Sequence, residues 1–376
     1  MSAMQTSFEA FRSIVEGRRI MITGGSGTVG YELVKALLPL RPKVLRIYSR
    51  DEQKQFYMRE EFRSLSNVRF LIGDVRDYPR LKRAMENIQI VFHLAALKHV
   101  ESCEYNPFEA IKTNINGTQN VIDAALGACA EKVVFTSTDK AVNPSNAMGA
   151  SKLMAERLMT AAEVSKGARS TVFCSVRFGN VLGSSGSVIP TFVHRINSGY
   201  PVDITDENMT RFVISFKESL ELIMTACRDA KGGELFVRKM PVVRIGDLAT
   251  ALIEMLGEEK GVKAPPINII GPRAGEKLYE EIVTAEESAR TVDIGRYLVV
   301  LPQIGRRECP FENARPIYPG AYTSQSDSPL SVAQIKDLLK SEDILTNPNL
   351  LSGMRNWKPV DPRDINGGIM ETLNEG

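Results

Sequence analysis

Histidine and tryptophan are scarce in this chain, with three histidines (His93, His99, His194) and one tryptophan (Trp357) among 376 residues. The histidines fall at spacings that suit no metal site, so metal catalysis is not expected and no metal ligand is assigned. Cysteine is sparse too. Cys103, Cys129, Cys174, Cys227 and Cys309 are widely separated, odd in number and without a C-x-x-C pair, which argues against a zinc site and a disulfide framework. Reduced, mostly buried thiols in a cytoplasmic protein are the expectation. No stretch reaches the roughly 18 consecutive apolar residues of a membrane-spanning helix. Residues 1–17 lack the basic and apolar regions of a signal peptide. An excess of one charge is also missing: the net charge is +2, so general attraction to nucleic acid or to an acidic membrane is not expected.

What remains is ordinary for a globular enzyme, with 43% hydrophobic and 24% charged residues in a chain long enough for two lobes around a large core. Residues 1–17 read as an added amphipathic helix carrying Phe8, Phe11, Ile14 and Val15. The stretch RRIMITGGSGTVGYELVKALL then gives a β-rich run, a glycine turn and a helical pattern. Gly25-Ser-Gly27-Thr-Val-Gly30 satisfies G-x-G-x-x-G, and Gly24, Gly27 and Gly30 satisfy G-x-x-G-x-x-G. Glycines there let the backbone approach a pyrophosphate seated on the N-terminus of the helix that opens near Thr28.

The next strand ends in Ser49-Arg50 rather than in a bare acid, with Asp51 and Lys54 close behind. A hydroxyl and a guanidinium suit a 2′-phosphate, so NADP is the expected cofactor; the alternative is NAD held by Asp51. A third strand ends at Asp74-Val75, placed to reach an adenine edge. A fourth runs into Ala95-Ala96, small enough for the cofactor to pass close by, followed by Lys98 and His99 as candidate substrate contacts. In the helix after Asn106-Pro107, Asn114 or Asn116 is expected to hydrogen-bond the neighbouring strand loop, since a mid-helix asparagine is otherwise unfavourable.

The stretch VVFTSTDKAVNPSNAMGASK (133–152) is the one the others serve. A buried strand ends where Thr138, Asp139 and Lys140 emerge together, at the sheet edge where open α/β folds bind ligands. An acid beside a potential base suits proton transfer in both directions. Met148 and Lys152 follow four residues apart, on one face of a helix. Taken in order, the elements predict an α/β protein with a doubly wound parallel Rossmann sheet. The boundaries read as an N-terminal extension (1–17), a dinucleotide-binding domain (18–180), a smaller second lobe (181–340, with part of 212–256 returning to the first domain) and a tail (341–376). Arg177, Arg211, Arg273 and Lys277 are expected on loops of that lobe, where a diphosphate would need them.

TGGSGTVG, YSRDE, GDVRD, HLAALKHV, TNINGTQN, STDKAVNPSNAMGASK, RFGNVLGSSGSVIP, MTRF, KMP and GEKLYEE occur in this order. Over roughly residues 17–340 the chain thereby resembles the extended short-chain dehydrogenase/reductases, and within them the nucleotide-sugar 4,6-dehydratases that act on UDP-N-acetylglucosamine. The resemblance implies that Thr138, Asp139 and Lys140 act on the sugar, and that Ser187, Arg211, Glu276 and Lys277 contact the nucleotide diphosphate, with Asn180 and Arg273 beside them. It also implies a soluble homo-oligomer working in surface-glycan synthesis. Met148 departs from the tyrosine of Y-x-x-x-K in most short-chain dehydrogenases. A thioether cannot accept a hydroxyl proton, so ionised Asp139 is the candidate to take it. Lys140, its pKa lowered by the cofactor and Lys152, is the expected base at C5. A nucleotide-sugar epimerase, a dehydratase of GDP sugars and a non-catalytic NADP-binding scaffold are the alternatives. Retention or inversion at C5 stays open.

Overall fold

The computed structural model describes residues 8–184, 186–260, 264–271, 275–305 and 308–345. Six strands come first: β1 (Arg19–Thr23), β2 (Val44–Ser49), β3 (Val68–Ile72), β4 (Ile90–His93), β5 (Lys132–Thr136) and β6 (Val172–Arg177). They pair in parallel in the spatial order β3-β2-β1-β4-β5-β6. Strands covered on both faces need apolar side chains at successive positions, and β1, β4 and β5 are buried along nearly their whole length. The strand order reverses between β1 and β4. A crevice opens there at the carboxyl ends of the strands, the place where such sheets bind ligands.

The chain then leaves the sheet through β7 (Asn180–Val181), β8 (Val202–Ile204) and β9 (Thr210–Ile214), and returns. Ser215 starts the returning helix Phe216–Asp229 with a capping box: its hydroxyl accepts from the Glu218 N–H while Glu218 accepts from the Ser215 N–H. That helix packs on β5 and β6, and β10 (Leu235–Arg238) adds a parallel strand beside β6. After β11 (Val242–Arg244), β12 (Ile267–Ile269) and β13 (Glu281–Val283), the sheet gains three antiparallel strands, β14 (Thr291–Asp293), β15 (Tyr297–Val300) and β16 (Arg315–Pro316). The main sheet therefore draws on residues 291–316, which the sequence reading gave to the second lobe. β17 (Tyr322–Thr323) pairs with β13.

The second lobe is built from β7, β9 and β11, the β8–β12 pair, and the helices Val188–Asn197, Ile245–Lys260 and Val332–Ser341. Their apolar faces close on a separate core that includes Phe192, Ile196, Leu248, Leu252, Ile335 and Leu339. At the other end, Phe8, Phe11 and Val15 lie buried in the main core, and Phe11 stacks under the Arg228 guanidinium. Of the stretch read as an addition, residues 8–17 are part of the body of the fold. Among the described residues no helix is long and apolar enough to cross a membrane.

Candidate active site

Two glycines shape the crevice. Gly24, just past β1, has φ +70°, and a Cβ there would stand 2.7 Å from the Ala95 amide nitrogen. A Cβ on Gly30 would stand 2.6 Å from the Gly24 carbonyl oxygen. These contacts leave room for backbone only, and they bring the turn and the Thr28–Leu37 helix, which follows Gly27, up against the end of β4. Ala95 donates its N–H toward Thr23 Oγ1 at 3.4 Å, and Ala96 follows it along the crevice.

Under this floor lies His93, fully buried. Its Nδ1 meets Thr23 Oγ1 at 2.7 Å and its Nε2 meets Thr118 Oγ1 at 3.0 Å. Because Thr118 spends its proton on the Asn114 carbonyl (2.7 Å), it accepts from Nε2–H, and Thr23 donates to Nδ1. Burial, helped by the charge on Lys152, pushes His93 down to about 3, so the ring is neutral and structural. Asn114 sits in a π-helical segment, Ile111–Asn116. Its Nδ2 donates to the Leu97 carbonyl (3.0 Å) and to Ser151 Oγ (2.9 Å), and its Oδ1 accepts from Leu97 N–H (2.8 Å), so one side chain fixes the loop after β4.

At the rim, Ser26 Oγ and Ser49 Oγ are 2.6 Å apart. Half-exposed Arg50 extends toward Asp74 (3.5 Å), which is also held by Arg76 at 2.7 Å. Asp51 is occupied as the N-cap of the Glu52–Glu61 helix: it accepts from the Lys54 N–H at 2.9 Å and pairs with the Lys54 ammonium at 3.0 Å. Val75 is buried, its carbonyl held by Asn120 at 2.9 Å. A glycine-rich turn, a helix N-terminus and a hydroxyl-guanidinium rim fit a dinucleotide.

Beyond the end of β5 the chain turns so that Thr138 and Asp139 face each other, Thr138 Oγ1 donating to Asp139 Oδ1 at 2.6 Å. The Lys140 ammonium donates to both Asp139 oxygens (3.1 and 3.2 Å), to Asn180 Oδ1 (3.5 Å) and to Glu280 Oε1 (3.3 Å). Burial works against the Asp139 charge, but the Lys140 charge and the hydrogen bonds from Thr138 and Lys140 outweigh it, and its carboxyl falls to about 2. Burial likewise opposes the Lys140 charge. The carboxylates of Asp139 and Glu280 prevail and hold its pKa above the usual lysine value. The lowered Lys140 pKa expected from sequence is corrected here: two acids surround the amine, and Lys152 is engaged elsewhere. Lys152 donates to the Thr136 carbonyl at 2.6 Å and lies 4.2 Å from the Phe135 ring centroid; burial brings it down to about 7.

Residues 20–302 match the family described as polysaccharide biosynthesis protein. The chain belongs to that family. It is 44% identical over 290 residues to the UDP-N-acetylglucosamine 4,6-dehydratase (inverting) of Campylobacter jejuni, covering 77% of this chain and 84% of the relative. It is also 39% identical over 338 residues to the UDP-glucose 4-epimerase of Rickettsia prowazekii, covering 87% and 96%. The X-ray structure of Pen from Bacillus thuringiensis superposes with a TM-score of 0.83 at 44% identity, covering 88% of this chain and 99% of that one. The protein is thus an enzyme of the nucleotide-sugar dehydratase and epimerase group, with the Rossmann fold of short-chain dehydrogenase/reductases.

In this family member the position of the usual tyrosine is filled by Met148, buried with Cys103 and Ala110 in a small apolar cluster. Lys98 and His99 are exposed on the loop after β4, and the His99 ring lies against Gly186, where a Cβ would stand 2.7 Å from it. Ser187 precedes the Val188–Asn197 helix, and its Oγ, like that of Ser137, is buried without a hydrogen-bond partner among the described residues. Arg211 reaches Glu276 (3.5 Å) and Glu280 (3.4 Å). Glu276 also accepts from Thr205 Oγ1 at 3.0 Å. Lys277 is anchored on the Val142 and Asn143 carbonyls (3.0 and 2.5 Å), which ties its loop to the one that follows Lys140. Arg273 lies outside the described residues.

Arg177 does not fall on a loop of the second lobe. It ends β6 with no exposure, paired with Glu156 (2.7 Å) and Glu287 (2.9 Å) and donating to the Ile282 carbonyl (2.8 Å). It is a core strut, because two buried acids need a cation more than solvent does. Sequence reasoning also passed over Glu280. Both its oxygens accept from Asn180 Nδ2 (2.9 and 3.0 Å) and Oε2 from Phe212 N–H (2.9 Å). The signal was weak: Glu280 is one of a pair of acids closing GEKLYEE, and only burial separates it from a surface charge.

Proposed function

We propose that the chain is an NADP-dependent 4,6-dehydratase of UDP-N-acetylglucosamine, yielding a UDP-2-acetamido-2,6-dideoxy-4-keto-hexose. The observation that carries this reading is the Thr138-Asp139-Lys140 cluster: an epimerase needs oxidation at C4 but no acid for a departing hydroxyl. Gly24, Gly27, Thr28, Gly30, Asp74, Val75, Ala95, Ala96 and Lys152 would hold the dinucleotide, with Ser49 and Arg50 on a 2′-phosphate. Asp51, already spent as a helix cap, supports the phosphate-binding choice over NAD. When bound, the nicotinamide would accept a hydride from C4 and return it to C6.

The chain's own groups move the protons. Asp139 is ionised and next to the Thr138 hydroxyl, so it takes the 4-hydroxyl proton in place of the missing tyrosine. Now protonated, it gives that proton to the 6-hydroxyl as the C6–O bond breaks and water leaves. Lys140 removes the C5 proton that the 4-keto group has acidified, and later returns a proton to C5. Ser187, Arg211, Glu276, Lys277 and Asn180, with Lys98 and His99, are the proposed contacts for the nucleotide and sugar.

The test is a mass spectrum after incubation with UDP-N-acetylglucosamine and, in parallel, its GDP analogue. A product one water lighter, carrying solvent deuterium at C5 when made in deuterated water, is expected from the UDP sugar. A product of unchanged mass would establish the epimerase reading, which the Rickettsia relative's name favours.

A further inference from the structure

The dehydratase reading requires Lys140 as an amine, yet the structure holds it as an ammonium between two acids. Of those acids, Asp139 is committed to the substrate's oxygens. We propose that Glu280 is the positioning residue that takes the Lys140 proton and stores it, so that Lys140 enters the reaction as a free amine. The inference rests on that reading and deepens it.

The geometry is that of a short relay. Glu280 Oε1 is 3.3 Å from Lys140 Nζ, and the acid is buried on all sides. It is fixed from three directions. Asn180 and Phe212 N–H hold its oxygens, its own N–H donates to Ser324 Oγ at 2.9 Å, and β13, which follows immediately, is held through Ile282 by buried Arg177. Asn180 also accepts from Lys140, so one amide aligns donor and acceptor. The charged groups that face Glu280 are Asp139 and Lys140 from the loop after β5 and Arg211 from β9, with Glu276 partnering Arg211 on its far side. Burial, then the Asp139 charge, push the Glu280 carboxyl up to about 7, against the two cations. It is therefore poised to gain or lose a proton at neutral pH, as a store must be.

The transfer breaks one N–H bond of Lys140 and forms one O–H bond on Glu280; the pair goes from ammonium and carboxylate to amine and carboxylic acid with no net proton exchanged. Lys140 then takes the C5 proton and later returns one of its solvent-exchanged protons to C5, and Glu280 stays protonated throughout. Below the Glu280 pKa the store is already full. Lys140 is then trapped as ammonium, so elimination falls away as pH drops through about 7.

The experiment compares the full-length protein with E280Q and E280D. Gln keeps the shape and an acceptor for Lys140 but cannot store a proton; Asp can. In E280Q, elimination at pH 7, read as solvent deuterium entering C5, should slow by about a hundredfold, within the range for acid–base assistance. Its acid limb should move alkaline by more than one unit, toward the pKa of Lys140 itself, while E280D keeps an acid limb near neutrality. Infrared titration of the cofactor-free protein should show a carboxyl C=O band with a midpoint near pH 7 that is absent from E280Q. An unshifted acid limb in E280Q, or no such band in the unmodified protein, overturns the proposal. Should E280Q not fold, an E280D acid limb displaced from neutrality together with a missing band overturns it, and both at neutrality support it. If the unmodified protein itself returns a product of unchanged mass, the dehydratase reading has failed and the proposal falls with it.

Discussion

Arg177 and Glu287 meet at 2.9 Å across 110 residues of chain, with both side chains almost fully buried. Glu156, on the helix that carries Met148 and Lys152, completes the group at 2.7 Å. The strut joins the end of β6, the Lys152 helix and the segment next to Glu280.

Removing its cation leaves two buried carboxylates without a partner. Arg177→Leu is expected to destabilise the protein by about 3–5 kcal/mol, the usual cost of breaking a buried pair from one side. Urea unfolding of the two proteins measures it, and a loss under about 1 kcal/mol would mean that the acids find other partners.

At the proposed cofactor rim, Arg50 is half exposed and bound, among the described residues, to Asp74 at 3.5 Å, which leaves its guanidinium able to reach a phosphate. Arg50→Ala should remove the preference for NADP over NAD, worth about 1.5–3 kcal/mol for a hydrogen bond to a charged group. Titration calorimetry with both dinucleotides reads the ratio. Binding of NAD at least as tight as NADP by the unmodified protein would reverse the assignment.

The two proton-moving groups should separate in a single turnover. Asp139→Asn removes the proposed acceptor for the 4-hydroxyl proton and should abolish the appearance of reduced-nicotinamide absorbance on mixing with substrate. Lys140→Ala should leave that absorbance and block elimination, so that it persists. A normal burst from Asp139→Asn would move the first proton to another group and leave Asp139 as the acid alone.

Lys152 supplies a stability prediction. Burial lowers its folded pKa to about 7, whereas an unfolded lysine titrates near 10.4. Between these values the unfolded chain binds more protons, so stability rises with pH, from about 7 to about 10.4, by up to about 1.4 kcal/mol per pH unit, and the penalty is fully present below 7. Lys152→Met should flatten this slope in cofactor-free protein. Urea midpoints at pH 7, 8 and 9 compare the two, and parallel slopes would show that the amine remains charged in the folded state.

Much of the molecule was written locally. The glycine turn, the run of apolar strands and the emergence of Thr138, Asp139 and Lys140 from β5 follow from periodicity, backbone freedom and the ends of strands, all of which act within a few residues. That Asn114 or Asn116 would hold the strand loop was legible for the same reason, since an asparagine inside a helix asks for a partner, and the structure selects Asn114. What only the tertiary structure decided involves charges brought together from far along the chain. Glu280 meets Lys140 across 140 residues and Arg177 meets Glu287 across 110, and no local pattern tells a buried, paired acid or arginine from one on a solvated loop. Burial in low dielectric is a property of the assembled fold. It makes the sequence's arginine for a diphosphate into a core strut, its free lysine base into an ammonium, and an unremarked glutamate into that ammonium's nearest partner besides Asp139.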